Sequence, residues 1–131
     1  MDMKLELVPI PVTDVDRAKA FYIDKLGFNE DVDVRPMEGM RVVQLTPPRS
    51  GCSIGMGYGA AMYDDMPPGS IKNLHFVVDD IDRARAELTS RGVEISPVRE
   101  VGGGVKYAWF DDPDGNTLAL QEMPWRTGEN F

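Results

Sequence analysis

The stretch Val12-Thr13-Asp14-Val15-Asp16-Arg17-Ala18-Lys19-Ala20 returns sixty-six positions later as Val78-Asp79-Asp80-Ile81-Asp82-Arg83-Ala84-Arg85-Ala86. Six of the nine pairs are identical, and Val15/Ile81 and Lys19/Arg85 are conservative exchanges. The offset is about half of the 131 residues, so the copies head two equal modules. A repeat of this kind constrains the whole fold more than a local motif does. Short modules that cannot each close a core must pack against something, and the groove between paired modules is a natural ligand site.

Working outward from the first copy, Lys4 to Val12 reads as a strand rich in Leu, Val and Ile. Asp14 has the chemistry of an N-cap for a helix from Val15 to about Leu26, in which Val15, Ala18, Phe21, Tyr22 and Leu26 recur at helical spacing. Gly27 ends it. Asn29–Val34, Arg41–Thr46 and Cys52–Tyr58 follow as strands, the last two parted by the turn-forming run Pro47-Pro48-Arg49-Ser50-Gly51. From the second copy the order starts again. Lys72–Val78 is a strand, Asp80 a cap, Ile81–Arg91 a helix and Gly92 its stop. Val93–Val101, Val105–Phe110 and Asn116–Met123 are strands, with Gly102-Gly103-Gly104 and Asp112-Pro113-Asp114-Gly115 as turns. The expected organisation is one domain made of module 1 (1–59), a Pro/Gly-rich linker (60–70), module 2 (71–123) and a short C-terminal tail.

Composition narrows the function. An apolar content of 42% can supply a real core. The net charge of −8 argues against nucleic acid, which needs a basic stripe, and against an anionic membrane surface. It suits a soluble protein or a cationic ligand. The single cysteine, Cys52, rules out an internal disulfide, and no apolar run approaches eighteen residues, so a cytoplasmic location is the expectation. His75 is the one histidine.

Two βαβββ modules in tandem resemble the vicinal oxygen chelate superfamily of glyoxalases, bleomycin-resistance proteins and extradiol dioxygenases. The resemblance is carried by Val12-Thr13-Asp14, Ala18, Phe21-Tyr22 and Leu26-Gly27-Phe28, then by Phe76-Val77-Val78-Asp79-Asp80, Arg91-Gly92-Val93 and Phe110-Asp111-Asp112-Pro113-Asp114-Gly115-Asn116. It implies an α+β fold whose modules form a curved mixed sheet around a groove, and pairing into a homodimer. It implies nothing sharp about activity, because one scaffold hosts unrelated chemistries. In metal-dependent members a ligand stands on the first and last strand of each module, leaving open positions at which the ion acts as a Lewis acid. Those positions fall here at Leu7, Gly55, Asn73 and Ala119, or one strand step later at Pro9, Gly57, His75 and Gln121. Neither set holds the three or more ligands that a transition-metal centre takes. No cofactor is therefore expected, a divalent ion completed by a partner chain being the alternative.

Strand parity fills the groove instead. Val8, Ile10 and Val12 match Leu74, Phe76 and Val78 as core, leaving Leu7, with Leu5 and Pro9, and Asn73 and His75, with Val77, on the other face. Ala119 and Gln121 face the groove on the last strand, and Tyr107 and Trp109 share a face as an aromatic wall. Met56, with other methionines, offers an adaptable apolar surface. The candidate ligand-binding set is Leu7, Met56, Asn73, His75, Tyr107, Trp109 and Gln121, and His75 is the candidate acid/base because histidine titrates in the physiological range. Arg41 and Gln44 have opposite parity, so only one can face the groove, and Arg41 is expected to be solvated. The reading is a binding protein of the sequestering or resistance type with a small organic ligand. The alternative is a lyase, isomerase or dioxygenase, either metal-dependent or using His75.

Overall fold

The computed structural model describes residues 1–131, which fall into two compact units: residues 1–71 with 113–116, and residues 72–112 with 117–131. Unit 1 runs β1 (Leu7–Pro9), α1 (Val15–Ala20) extended by a π-helical turn (Phe21–Lys25), β2 (Asn29–Val34), β3 (Arg41–Thr46), β4 (Ser53–Tyr58) and α2 (Ala61–Asp64). Unit 2 runs β5 (Leu74–Val77), α3 (Ile81–Ser90), β6 (Arg99–Gly102), β7 (Val105–Asp111) and β8 (Thr117–Glu122), with a 3-10 turn at Gly128–Asn130. Each unit holds one four-stranded mixed sheet, ordered β1-β4-β3-β2 and β5-β8-β7-β6. In both, the first strand runs parallel to the last and the other pairings are antiparallel. The sequence repeat is thus a repeat of topology, and the chain is α+β.

The repeated Asp plays the same part twice. Asp14 and Asp80 sit in extended backbone, and their carboxylates accept the amide hydrogens of Arg17 at 3.1 Å and Arg83 at 3.0 Å. Each satisfies one otherwise orphaned first-turn donor. Gly27 (φ 77°) and Gly92 (φ 84°) end the helical runs in the left-handed region, where a side chain would be strained.

The strands are shorter than expected at three places. β1 keeps only Leu7–Pro9, because Pro9 and Pro11 have no N–H to donate to a ladder. β5 begins after Asn73, whose φ of 58° breaks extended backbone. β6 is confined to Arg99–Gly102. Pro97 interrupts the approach, while the Ser96 amide and hydroxyl bind the Trp109 backbone at 2.9 Å each. The linker gains an unexpected single helical turn, α2.

Parity assigns the faces. In unit 1, Ile10, Val43, Leu45, Ile54 and Met56 are buried with Val15, Ala18 and Tyr22 of the helix. On that face Arg41 donates to Asp33 (3.0 and 2.9 Å) and to Asp16 of α1 (2.7 Å), and Lys19 of α1 also reaches Asp33 at 2.8 Å. Arg41 is only 5% exposed, so the expectation of a solvated arginine is corrected: two carboxylates hold it inside. Its guanidinium pins Asp33 far below the usual carboxylate range, with Lys19 adding to the effect. In unit 2, Ala108, Phe110, Leu118 and Leu120 are buried with Ile81 and Leu88 of α3. Glu122 shares their parity and accepts the Ile81 amide at 2.9 Å, which fixes that face as the one bearing α3. Each large side chain so buried contributes about 1.5–3 kcal/mol before entropy is subtracted.

The turn at Pro113–Asn116 clusters with unit 1. Asn116 is fully buried, donating to the Pro11 carbonyl at 2.9 Å and accepting from the Ile71 amide at 3.1 Å. Asp114 accepts from the Thr13 amide and hydroxyl at 3.1 and 2.6 Å, and from Arg17 at 3.1 Å.

Candidate functional site

The face of the unit 2 sheet away from α3 gathers the polar and aromatic candidates. Register places His75 opposite Ala119, Trp109 opposite Ala119, and Tyr107 opposite Gln121, so all project to one side. The Tyr107 and Trp109 rings stack with centroids 5.7 Å apart at 14°. His75 meets Tyr107 edge-on, 5.5 Å between centroids at 83°. Tyr107, Trp109 and Gln121 are half-buried, and His75 and Asn73 are exposed. Such a surface has apolar area to bury and polar tips to orient what it binds.

Two hydrogen bonds fix how those tips point. Gln121 Nε2 donates to the Tyr107 hydroxyl at 2.9 Å. The phenol proton can then be offered outward, and the Gln121 Oε1 is aimed as an acceptor. His75 Nδ1 lies 2.5 Å from the Asn73 carbonyl. A carbonyl can only accept, so Nδ1 carries the hydrogen, and in the neutral ring Nε2 holds the lone pair. The left-handed backbone at Asn73, which Asn tolerates better than most residues, is what turns that carbonyl towards the imidazole. Arg99 pairs with Tyr107 in register and adds an exposed guanidinium at the β6 edge of this face. Its position follows from the register shift between Glu100 and Gly102, which strand periodicity does not reveal.

The two remaining candidates stand in unit 1. Register puts Leu7, Gly55, Gly57, Val42 and Gln44 on the face away from α1. Gln44 donates to Ser53 at 3.2 Å there. Met56 has the opposite parity and is wholly buried on the α1 side, so it does not share a surface with Leu7. The linker covers part of the Leu7 face with Tyr63 of α2, which is 4% exposed. A Cβ at Gly55 would stand 3.3 Å from the Tyr63 hydroxyl oxygen and 3.1 Å from a Leu7 methyl. One at Gly57 would stand 3.1 Å from the Tyr63 ring and only 2.1 Å from the Arg41 carbonyl oxygen, so no larger residue fits that position as it stands.

The donor chemistry does not fit a metal centre. Leu7, Gly55 and Ala119 have no coordinating side-chain atom, and Asn73 offers a neutral amide. His75 Nε2 is the single imidazole donor on this face, and no three His, Cys, Asp or Glu side chains gather into a metal-holding group.

This architecture belongs to a known family. The chain is a member of the Glyoxalase/Bleomycin resistance protein/Dioxygenase superfamily, whose family model matches residues 4–120. It is 32% identical to TnmS3, an antibiotic binding protein from Streptomyces sp. CB03234, with a TM-score of 0.80 over 93% of this chain and 97% of that one. A superfamily member from Sphaerobacter thermophilus is also 32% identical, with a TM-score of 0.79 over 92% and 98% of the two chains. The uncharacterized protein YurT of Bacillus subtilis is 30% identical over 90% of this chain and 98% of its own length. No helix is long and apolar enough to cross a membrane.

Proposed function

We propose that this protein binds a small organic molecule, in the manner of a sequestering or resistance protein, on the sheet face that carries Tyr107 and Trp109. The observation behind this reading is the stacked pair itself, with the Gln121–Tyr107 hydrogen bond behind it and the His75 ring edge beside it. A flat aromatic ligand would lie on the indole and phenol rings, take a hydrogen bond from the Tyr107 hydroxyl, and present a donor to Gln121 Oε1 or His75 Nε2. The resemblance to an antibiotic binding protein supports the class of ligand. Asn73 acts through His75, and Leu7 is a contact for apolar parts of a ligand in unit 1. Association as a homodimer belongs to the same proposal, as does a cytoplasmic setting in which the unpaired Cys52 stays reduced.

The test is a thermal-shift panel of flat polycyclic antibiotics, followed by titration of the best compound by tryptophan fluorescence. Binding should saturate at micromolar concentration or below and weaken about tenfold or more in Trp109→Ala, equivalent to at least ~1.4 kcal/mol. A panel in which nothing stabilises the protein would sink the proposal. A second reading draws on the Nε2 lone pair of His75: the protein turns its ligand over, with His75 as general base. Loss of turnover with retained binding in His75→Gln would establish it.

A further inference from the structure

The sheet face that carries Tyr107 and Trp109 also carries two full charges, and neither is neutralised within the chain. Register and parity put Arg99 and Asp111 on the side of the two rings. Both are exposed, and neither makes a hydrogen bond or an ion pair. Other arginines of the molecule are occupied. Arg17, Arg41, Arg83 and Arg91 each hold a carboxylate, and Arg85 holds the Ser96 carbonyl.

Arg99 stands directly across from Tyr107 in the β6–β7 pairing. Cβ atoms of such partners are about 4.5–5.5 Å apart, so the two side chains leave the sheet next to one another. The Tyr107 hydroxyl accepts from Gln121 Nε2 at 2.9 Å, which leaves its own proton to be donated outward. Two kinds of donor therefore meet at the Tyr107 end of the stacked pair: a charged fork and an O–H. Asp111 lies further along β7, beyond Trp109 and about 13 Å from Tyr107 at the rise of a strand. The face is thus positive at one end of the rings and negative at the other. The net charge of −8 does not cancel this polarity, because exposed charges more than about 8 Å apart are largely screened at physiological salt.

We infer that the ligand of this face is a flat aromatic carboxylate, bound with its acid at the Tyr107 end. The inference rests on the binding function proposed above and narrows its ligand class. The carboxylate takes two parallel N–H donors from Arg99 and the proton of the Tyr107 hydroxyl, while its rings extend over the indole of Trp109. Asp111 repels the acid from the opposite end and so sets the orientation of the ligand.

The probes are phenazine-1-carboxylate and its neutral counterpart phenazine-1-carboxamide, titrated into the full chain at pH 7.5 by quenching of tryptophan fluorescence. The carboxylate should bind about tenfold tighter than the carboxamide, equivalent to ~1.4 kcal/mol. Arg99→Gln, a change at an exposed edge position, should erase that preference by weakening the carboxylate alone. Asp111→Asn should tighten the carboxylate and leave the carboxamide unchanged. Equal affinities in the wild type would overturn the inference without any variant, and leave the binding function standing. An Arg99→Gln protein that weakens both compounds alike, or an Asp111→Asn protein that weakens the carboxylate, would overturn it too. If neither phenazine binds while a neutral polycyclic antibiotic does, the inference fails alone; if nothing binds in either experiment, it fails together with the function.

Discussion

The same βαβββ plan presents two unlike sheet faces. Superposing the registers makes Val42 the counterpart of Tyr107, Gln44 of Trp109, Gly55 of Ala119, Gly57 of Gln121 and Pro9 of His75. Unit 2 builds its own aromatic and polar surface from its strands. Unit 1 is stripped to small and aliphatic residues, and borrows a ring from the linker. The opposite faces differ in the other sense. Arg41 of unit 1 is sunk between Asp33 and Asp16, while its counterpart Lys106 makes one looser pair with Glu122 at 3.7 Å. Unit 1 thus keeps its charges inside and its open chemistry sparse, and unit 2 does the reverse. Topology was duplicated, and the side chains were then free to divide the work.

The largest effect should separate Arg41 from Lys106. Arg41→Ala leaves the largely buried Asp33 with Lys19 as its one remaining cation and should cost about 3 kcal/mol in urea unfolding. Lys106→Ala should cost under about 1 kcal/mol, as exposed pairs do. Equal losses would break the comparison. Next comes Asn116, whose counterpart by register is Cys52. Asn116→Ala removes one buried and one part-buried hydrogen bond and leaves the Pro11 carbonyl and Ile71 amide without that partner, a loss of about 2–3 kcal/mol. Cys52→Ala should change stability by no more than about 0.5 kcal/mol.

The smallest expected effect is in pH. Asp33 has a folded-state pKa held below its unfolded value of about 3.9. It binds fewer protons folded than unfolded, so its contribution is complete above the unfolded value and drains away as pH falls through the depressed folded one. Wild type should therefore lose stability faster than Arg41→Ala in titrations below about pH 4. Parallel curves would show that the guanidinium does not hold the carboxylate in its charged form.

Much of this was legible in the chain. The repeat at Val12–Ala20 and Val78–Ala86 announced both modules, because an N-capping Asp and a helical stripe recur together only where the local structure does. Period-2 alternation put His75, Tyr107, Trp109 and Gln121 on one face, and the register agrees. Met56 was misplaced for want of the same rule: it has opposite parity to Gly55, and a strand with Gly55 on one side must turn Met56 to the other. The ion pairs of Arg41 were hidden because Asp33 and Asp16 lie eight and twenty-five positions away and meet it only through tertiary packing. Tyr63 was invisible because one turn of helix has no period to read, and Pro and Gly around it speak only of a turn. The bond from His75 to Asn73 depends on a left-handed backbone that an Asn permits and does not require.

The hydrogen bond from Asn116 to Pro11 spans 105 positions of chain. A contact so distant in sequence is expensive in loop entropy and forms late, which slows folding relative to a helical protein of the same size. The side chain that closes unit 1 is therefore synthesised about sixty residues after β4, the last strand of its sheet. A fragment ending at Ile71 would carry every strand of its sheet and still lack the side chain that ties Pro11 to its last residue.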